Sequence, residues 1–405
     1  MKFIFNDKLS SRLLLNLLHS IWAIPAVLLI RIIRPWIYIR FGTLWSNRIG
    51  HFVTDSALRF AELSEKPSNQ IELYWLEQQT SNKQWEKMVR RNFKVSWWVR
   101  HLDYWNKVIP GGEIHSRPLH TINLSRDING DVERTKTSFQ FLPEEDQIAK
   151  KWLREQGWQD GEPFVCLLIR DDRFLDTDPL LKEYKINWEY HSYRNTDIST
   201  YVPAMEWLAD QGVWVLRMGK IMEKPIPSKH KRIIDYAFHS ERSDFLDIWL
   251  FAHCNFCISS GTGLDTVSGN YRRPIFFINF IPIFHIWSWS NAIHVPKKLV
   301  WKKTSKELTC KEYLSNYFTK SNEYKNAGIN IIDLTSKEIL LSTQECWQRI
   351  EGKWIDNEEE VNKQKKFWRI LKKSKDFSKC HGWKHPNSRI GSIWLQSRKD
   401  YFWNE

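Results

Sequence analysis

Three largely apolar runs in the middle of the chain each end in a polar or glycine-containing turn. They span residues 164–169, 213–218 and 255–260. Apolar positions with helical spacing lie between them, at residues 197–211 and 243–254. Short apolar runs bounded by turns are typical of strands that are buried on both faces of a parallel sheet. The pattern therefore predicts an α/β fold, in which ligands bind beyond the carboxyl ends of the strands.

A second alternation precedes this one. A strand pattern at residues 36–41 is followed by a glycine loop at 47–51 and a helical pattern at 53–63. Strand, glycine loop and helix in this order are typical of the start of a Rossmann-like unit. A strand pattern at 71–77 and a helical pattern at 82–92 continue it.

The helix predicted at residues 143–156 begins at a proline and ends at Gly157, where we place the domain boundary. We expect two Rossmann-like domains facing a cleft. The expected parts are an apolar, membrane-associating segment (1–34), an N-terminal Rossmann-like domain (35–157), a C-terminal Rossmann-like domain (158–355), and a charged, aromatic tail (356–405) that packs back on the N-terminal domain.

The N-terminal segment is rich in Leu, Ile and Trp, and its densest apolar part is residues 21–30. A transmembrane helix needs about 20 clean apolar residues, and this run is shorter and interrupted. We interpret it as a helix that lies in the inner face of a membrane, with Arg31, Arg34 and Arg40 on anionic headgroups. A single-pass anchor and an ordinary buried helix are the alternatives.

Composition narrows the class of protein only partly. Hydrophobic residues make up 42% of the 405 residues and charged residues 26%, which is typical of a globular protein. The net charge of +13 favours an anionic partner but does not choose among nucleic acid, phosphorylated substrate and membrane. Among the six cysteines, Cys254 and Cys257 form a C-x-x-C, but no second pair at metal-ligand spacing accompanies it, and mostly apolar neighbours indicate buried free thiols.

Residues 259–263 join a predicted strand to a helix and contain only Ser, Gly and Thr. Small residues let backbone N–H groups approach a diphosphate, and the helix N-terminus favours its negative charge. Arg170 and Arg194 lie beside loops at the same expected sheet edge and can form paired bonds to phosphate oxygens. Acidic residues cluster in the loop after Arg170; we interpret them as solvated or paired with arginines rather than as metal ligands. They are Asp171, Asp172, Asp176 and Asp178.

His51 lies where the first glycine loop meets a helix. Its ordinary pKa near 6.5 suits a general base that deprotonates a sugar hydroxyl. Asp55, one helical turn later, is in position to orient it. A histidine that merely bonds a loop carbonyl is the alternative.

Seven short motifs in order resemble a little-characterised family of bacterial glycosyltransferases with a GT-B-like arrangement, found with surface-polysaccharide genes. They are Arg48-Ile-Gly-His51, Leu168-Ile-Arg-Asp171, Tyr193-Arg-Asn-Thr-Asp-Ile198, Leu216-Arg-Met-Gly219, Tyr236-Ala-Phe-His-Ser240, Ser243-Asp-Phe-Leu-Asp-Ile248 and Ser259-Ser-Gly-Thr-Gly-Leu264. The resemblance implies a donor site in the C-terminal domain and a base at His51, with Asp55 beside it. The implied donor and phosphate residues are Arg170, Arg194, Asn195, Asp197, Arg217, Gly219, Ser259, Ser260, Gly261, Thr262 and Gly263.

The function implied is transfer of a sugar from a nucleotide-sugar donor to a glycan or lipid-linked acceptor, with no cofactor and no bound metal. Inversion follows if base and donor lie on opposite faces of the anomeric carbon. We expect a cytoplasmic enzyme, peripheral to the inner face of the membrane, that binds no nucleic acid. A non-catalytic scaffold of the same fold, an RNA-binding module and an epimerase or ligase are the alternatives. For an epimerase, the first glycine loop lacks the dinucleotide fingerprint.

Overall fold

A computed structural model describes residues 13–65, 70–119, 125–171, 173, 177 and 192–404. Its contacts divide the chain into an N-terminal unit (residues 1–126 and 134–140) and a C-terminal unit (residues 127–133 and 141–405). The division falls at residue 141 rather than at 157, because the helix that begins at Pro143 packs within the C-terminal unit. Its Asp146 carboxylate accepts a 2.8 Å hydrogen bond from the Trp249 indole.

The N-terminal unit contains one four-stranded, all-parallel sheet of order β3-β2-β1-β4. Its strands are β1 (Tyr38–Leu44), β2 (Gln70–Leu76), β3 (Lys94–Val95) and β4 (Ser116–Arg117). Its helices are α1 (Ser20–Ile32), α2 (Ile49–Glu65), α3 (Lys83–Asn92) and α4 (Val99–Val108). A short helix, α5 (Asp131–Thr135), spans the division.

The C-terminal unit contains a seven-stranded, all-parallel sheet of order β13-β10-β9-β8-β5-β6-β7 and an antiparallel pair, β11-β12. The strands are β5 (Phe164–Leu168), β6 (Trp214–Arg217), β7 (Ile233–Ile234), β8 (Phe256–Ser259), β9 (Ile275–Ile278), β10 (Ala292–Val295), β11 (Lys298–Trp301), β12 (Ile329–Ile332) and β13 (Arg389–Ile390). The helices are α6 (Pro143–Glu155), α7 (Val202–Asp210), α8 (Asp244–His253), α9 (Asp265–Asn270), α10 (Cys310–Ser315), α11 (Ser321–Asn326), α12 (Ser336–Ile350), α13 (Glu358–Lys372), α14 (Phe377–Cys380) and α15 (Ser392–Gln396).

The predicted α/β class with parallel sheets is confirmed. Every residue of β5, β6, β8, β9 and β10 is buried, because helices cover both faces of a parallel sheet. Several helices begin at residues suited to capping: the Ser243 hydroxyl accepts from the Leu246 amide, and Thr335 forms a capping box with Glu338.

The tail, residues 356–404, belongs to the C-terminal unit. Its strand β13 pairs with β10 and adds the last strand to the seven-stranded sheet. The side-chain nitrogen of Gln364 on α13 donates a hydrogen bond to the Ile390 carbonyl, and the Gln364 side-chain oxygen accepts one from the Ile390 amide. Sequence analysis instead expects this tail on the N-terminal domain; a two-residue strand carries too little pattern to reveal its pairing partner.

Helix α1 lies within the predicted apolar segment 1–34, of which residues 1–12 fall outside the described residues. Ala23 and Val27 are fully buried against Phe41, Val99 and Leu102. Among the described residues, no helix is long and apolar enough to span a bilayer.

The Arg31 side chain is not free for a lipid headgroup. It donates hydrogen bonds to the carbonyls of Asn106, Ile109 and Pro110 at 2.7–2.9 Å, so it caps the end of α4. Arg40 likewise donates to the Ser116 carbonyl at 2.8 Å. Both arginines therefore stabilise the N-terminal unit.

All six cysteines are buried, free thiols, as the sequence predicts. Cys254 of the C-x-x-C pair lies 3.4 Å from the Phe251 carbonyl and 3.6 Å from the Ser268 hydroxyl. These contacts are those of a small core side chain.

Candidate functional site

The seven-stranded sheet reverses its strand order between β5 and β8. From β5 the chain adds β6 and then β7 on one side, and returns to add β8, β9 and β10 on the other. The connections after β5 and β8 therefore lead away from each other, and an α/β sheet binds ligands at such a point. Arg170 follows β5 and Ser260 follows β8; the Arg170 amide donates a 2.9 Å hydrogen bond to the Ser260 hydroxyl.

The turn at residues 259–263 is held by Asp265, a residue that sequence analysis overlooks. The Asp265 carboxylate accepts hydrogen bonds from the Ser259 hydroxyl at 2.8 Å and from the Thr262 amide at 2.7 Å. The Gly261 amide donates to Ser259 Oγ at 3.0 Å. Two amides that we expect to face a diphosphate are thus engaged within the turn.

The side chain of Thr262 differs from the two amides. Thr262 Oγ1 is buried and has no hydrogen-bond partner among the described residues. A buried hydroxyl without a partner loses free energy relative to water, so a bound acceptor group would satisfy it.

Burial raises the pKa of the Asp265 carboxyl to about 7, and the bonds from Ser259 and Thr262 and the charge of Arg194 partly offset this rise. Asp265 is 1% exposed. The turn therefore contains a carboxyl group that titrates near neutral pH.

Gly261 is needed for the shape of the turn. Its φ is +85°, and a Cβ atom here would lie 3.2 Å from the Phe280 ring. Both the left-handed backbone and the close ring favour glycine.

Arg194 lies against the same turn. Its Nη1 atom is 3.4 Å from the Gly261 carbonyl oxygen, and its guanidinium lies over the Tyr193 ring at 5.6 Å. The segment 194–197 follows Tyr193, and the Thr196 amide donates to the Arg170 carbonyl at 3.2 Å. The structure thus brings Arg170, Arg194 and the 259–263 turn to one edge of the sheet.

Lys297 fixes the loop that carries Arg194. Its ammonium group donates to the Asn195 carbonyl at 2.5 Å and pairs with Asp333 at 2.8 Å, and the residue is 2% exposed. Burial lowers the pKa of Lys297, and Asp333 opposes the change. The Asn195 side-chain oxygen is buried without a hydrogen-bond partner among the described residues.

Asn279, directly after β9, joins three segments around this loop. Its amide nitrogen donates to Thr196 Oγ1 at 3.1 Å and to the Tyr201 hydroxyl at 3.0 Å. Its side-chain oxygen accepts from the Leu334 amide at 2.8 Å. The φ of +57° is one that Asn tolerates better than most residues, and an Asn directly after an apolar strand is the signal that could have found it.

Three other predicted donor residues have structural partners. Arg217 is 1% exposed and donates to Asp235 at 3.0 Å and to the Lys224 carbonyl at 3.2 Å. Asp197 caps the 3₁₀ turn Ile198–Tyr201, and its bond with Lys224 holds its pKa well below the usual range. At Gly219 a Cβ atom would lie 2.4 Å from the Met222 sulfur. Their roles in donor binding stay predictions.

His51 lies in the first turn of α2, in the N-terminal unit. Its ring stacks on Trp45 with centroids 4.6 Å apart, and its Nδ1 atom is 2.6 Å from the Ser125 hydroxyl. Burial, and secondly the charge of Arg48, lower the pKa of His51 to about 4. The imidazole is therefore neutral at pH 7, but it is a weaker base than the pKa near 6.5 expected from the sequence would make it. Asp55 is 1% exposed one turn later, and its role in orienting His51 stays a prediction.

No protein-family profile matches the sequence, and no curated protein does. Among solved structures, the chain is similar to an ADP-heptose lipopolysaccharide heptosyltransferase II from E. coli, with 11% identity and a TM-score of 0.35 over 64% of this chain and 85% of that one. It is also similar to a glycosyl transferase of family 9 from Veillonella parvula, with 10% identity and a TM-score of 0.37 over 64% and 81%. An E. coli heptosyltransferase solved with ADP has 12% identity and a TM-score of 0.28 over 59% and 86%. At these values the likeness is distant and decides nothing about ligands.

Proposed function

We propose that this chain is a glycosyltransferase that moves a sugar from a nucleotide-sugar donor to a glycan or lipid-linked acceptor in surface-polysaccharide biosynthesis. The observation that carries this is the edge at the ends of β5 and β8, where the Arg170 segment, Arg194 and Thr262 meet. The Arg194 guanidinium, and a Thr262 hydroxyl that has no partner among the described residues, suit the phosphates of a nucleoside diphosphate at such a point.

In the proposed reaction, the acceptor oxygen bonds to the anomeric carbon while the bond from that carbon to the diphosphate oxygen breaks. The proposed base for the acceptor proton is His51, which is neutral at pH 7 although its lowered pKa makes it a weak base, and the nucleoside diphosphate leaves with the bonding electrons. Positive charge from Arg170 and Arg194 stabilises the departing diphosphate, so this scheme is metal-independent. Attack opposite the leaving group makes it inverting.

One observation favours a second candidate, a non-catalytic scaffold of a polysaccharide-assembly complex. The Gly261 and Thr262 amides, which a phosphate-binding turn offers to its ligand, bond within the turn. A scaffold that keeps the fold but binds no diphosphate does not need these amides for a ligand, so it would lose no function through this arrangement.

We also propose that the N-terminal unit lies on the anionic inner face of the cytoplasmic membrane. Helix α1 buries one side in the core and exposes large apolar side chains on the other: Ile21 is 82% exposed and Ile32 is 67% exposed. Trp36 (79%) and Trp97 (68%) are exposed too, and Trp is enriched at membrane interfaces. Arg34 is also exposed, so it is available to anionic headgroups.

A thermal-shift screen against UDP, GDP, CDP, ADP and their sugar conjugates tests the transferase. A ligand at about 100 times its dissociation constant stabilises the native state by roughly 2.7 kcal/mol. We expect a shift with one diphosphate that Arg194→Ala abolishes and Arg154→Ala retains, because Arg154 is an exposed partner of Asp160 in the same unit. Absence of any shift would contradict a donor site. A shift with no turnover of the matching nucleotide sugar would support the scaffold.

A further inference from the structure

A basic pocket lies on the C-terminal unit, between the second half of α13 and residues 384–389. Its volume is about 700 Å³, which is within the range of small-molecule sites. Six cationic side chains line it: Lys365, Arg369, Lys372, Lys373, Lys384 and Arg389. None of these residues belongs to the turn at 259–263 or the loop at 194–197.

The two walls of this basic pocket are rigid. Gln364 ties α13 to the Ile390 backbone, as described above. In the facing wall, the Ser388 hydroxyl donates to the Trp287 carbonyl at 2.9 Å, and the His385 amide donates to the Ser288 carbonyl at 2.7 Å. These bonds fix the backbone of both walls, so only the lysine side chains would have to order when a ligand binds.

The charge in the pocket is unbalanced. Arg389 pairs with Asp356 at 2.7 and 2.9 Å, and Asp356 also pairs with Arg349. Among the described residues, no Asp or Glu side chain lines the cavity itself. Lys372 on α13 and Lys384 on the facing wall therefore present like charges to the same cavity.

The helix dipole explains the presence of only some of these cationic side chains. Arg369 and Lys372 lie in the last turn of α13, where cations stabilise the carboxyl end of a helix. Lys384 comes from a different segment, and its ammonium lies 4.3 Å from the centre of the Trp368 ring. Partial burial lowers the pKa of Lys384, and the nearby Arg389 and Lys372 lower it further. An anion between these groups would relieve their repulsion.

We propose that the basic pocket binds an anion that carries two or more phosphate groups. Lysine ammonium groups recognise phosphate as point charges without the fixed geometry of a guanidinium pair, so several of them suit a flexible, multiply charged group. The pocket does not depend on the transferase activity. Two sources share this chemistry, a soluble phosphorylated compound and a phosphorylated lipid headgroup.

Calorimetric titration of the full chain with inorganic tripolyphosphate tests this site. The informative variant is Lys372→Gln/Lys384→Gln, and its matched control is Lys303→Gln/Lys325→Gln, which removes the same charge from exposed positions of the same unit. We expect the pocket variant to bind at least tenfold more weakly at about 0.1 M salt, where exposed charges more than about 10 Å apart are largely screened, and the control to bind as the parent does. Equal weakening in both variants would show attraction by net charge only and would overturn the site.

Arg194→Ala separates this site from the proposed donor site. We expect this variant to keep the binding that the lysine variant loses; loss of that binding in Arg194→Ala, with the lysine variant unaffected, would assign the anion to the donor edge and overturn the basic pocket. Because all four substituted lysines are exposed, we expect both lysine variants to fold. A thermal melt verifies this. Pelleting with vesicles that contain cardiolipin, whose headgroup carries two phosphates, and with phosphatidylcholine vesicles identifies the source: weaker binding to the cardiolipin vesicles in the pocket variant than in its matched control indicates a headgroup. Unchanged pelleting together with weakened tripolyphosphate binding indicates a soluble phosphate compound.

Discussion

The Arg170 backbone amide and the Ser260 hydroxyl form a 2.9 Å hydrogen bond between the ends of β5 and β8. These strands are neighbours in the sheet, although 90 residues separate the two groups along the chain. The bond fixes the start of the Arg170 loop to the turn that carries Thr262. Residues that govern this turn should therefore govern ligand binding.

Asp265→Ala should weaken nucleoside diphosphate binding and lower stability. The substitution leaves the Ser259 hydroxyl and the Thr262 amide without an acceptor, which costs about 1–3 kcal/mol for each buried group left unsatisfied. Asp265→Asn keeps an acceptor oxygen and should retain most of both properties. Urea denaturation and diphosphate titration of the two variants check this. An Asn variant as impaired as the Ala variant would show that the charge, not the acceptor, matters.

Asp265 should also make stability fall as pH rises from about 4 to about 7. Its pKa in the folded chain is raised to about 7, so the folded state holds a proton that the unfolded state releases near pH 4. The stabilisation that this group contributes is fully present below about pH 4 and is lost as the pH rises through about 7. We expect Asp265→Asn to remove this contribution to the slope of the unfolding free energy against pH. Urea denaturation at several pH values measures that slope. Asp160→Asn is the control, because the Arg154 partner lowers the pKa of Asp160 and the sign of its slope is opposite.

Lys297→Met should raise the KM for the donor more than it lowers kcat. The ammonium group holds the Asn195 carbonyl, so its loss releases the loop that presents Arg194. Charged hydrogen bonds contribute about 1.5–3 kcal/mol, and we expect the free energy of unfolding to fall by a similar amount. Lys298→Met is the matched control, since Lys298 pairs with Glu338 instead. Equal effects in the two variants would refute a specific role for Lys297 in holding this loop.

The His51 ring should titrate near pH 4 in the folded chain. Burial disfavours the imidazolium, and Arg48 disfavours it further. Histidine NMR resonances assigned with His51→Gln measure this pKa directly. Arg48→Gln should move the pKa upward toward 6.5, and a value already at 6.5 in the parent would show that the ring is open to water.

Several strands of the two sheets could be predicted because their apolar runs are long enough to be recognised, whereas the two-residue strands β3, β4 and β13 could not. Phe164–Leu168 and Phe256–Ser259 fall where the pattern puts them, and so does the edge that gathers Arg170, Arg194 and the 259–263 turn. The helical pattern predicted at residues 243–254 begins at Ser243, whose hydroxyl accepts a hydrogen bond from the Leu246 amide. These features depend on neighbours in sequence or on the general rule for parallel sheets.

The groups that sequence analysis missed depend on distant contacts. Lys297 reaches Asn195 across 102 residues, and Asn279 reaches Leu334 across 55. Helix α4 could not be recognised in the sequence because its aromatic residues have modest helix propensity. Its position depends on packing against α1. In each case the sequence identifies the residue type, but tertiary packing determines its partner.

The exposed face of α1 should determine membrane binding. Deleting residues 1–34 would remove Ala23 and Val27 from the core, so it would test folding as well as binding. Ile21→Ser/Trp36→Ser changes exposed residues only and should reduce binding to phosphatidylglycerol vesicles at least tenfold, because a fully buried apolar side chain contributes about 1.5–3 kcal/mol. The matched control is Ile332→Ser/Ile355→Ser, which removes two exposed apolar residues from the C-terminal unit and should leave binding unchanged. Vesicle binding that persists in the α1 variant at high salt would contradict an apolar contact through this helix.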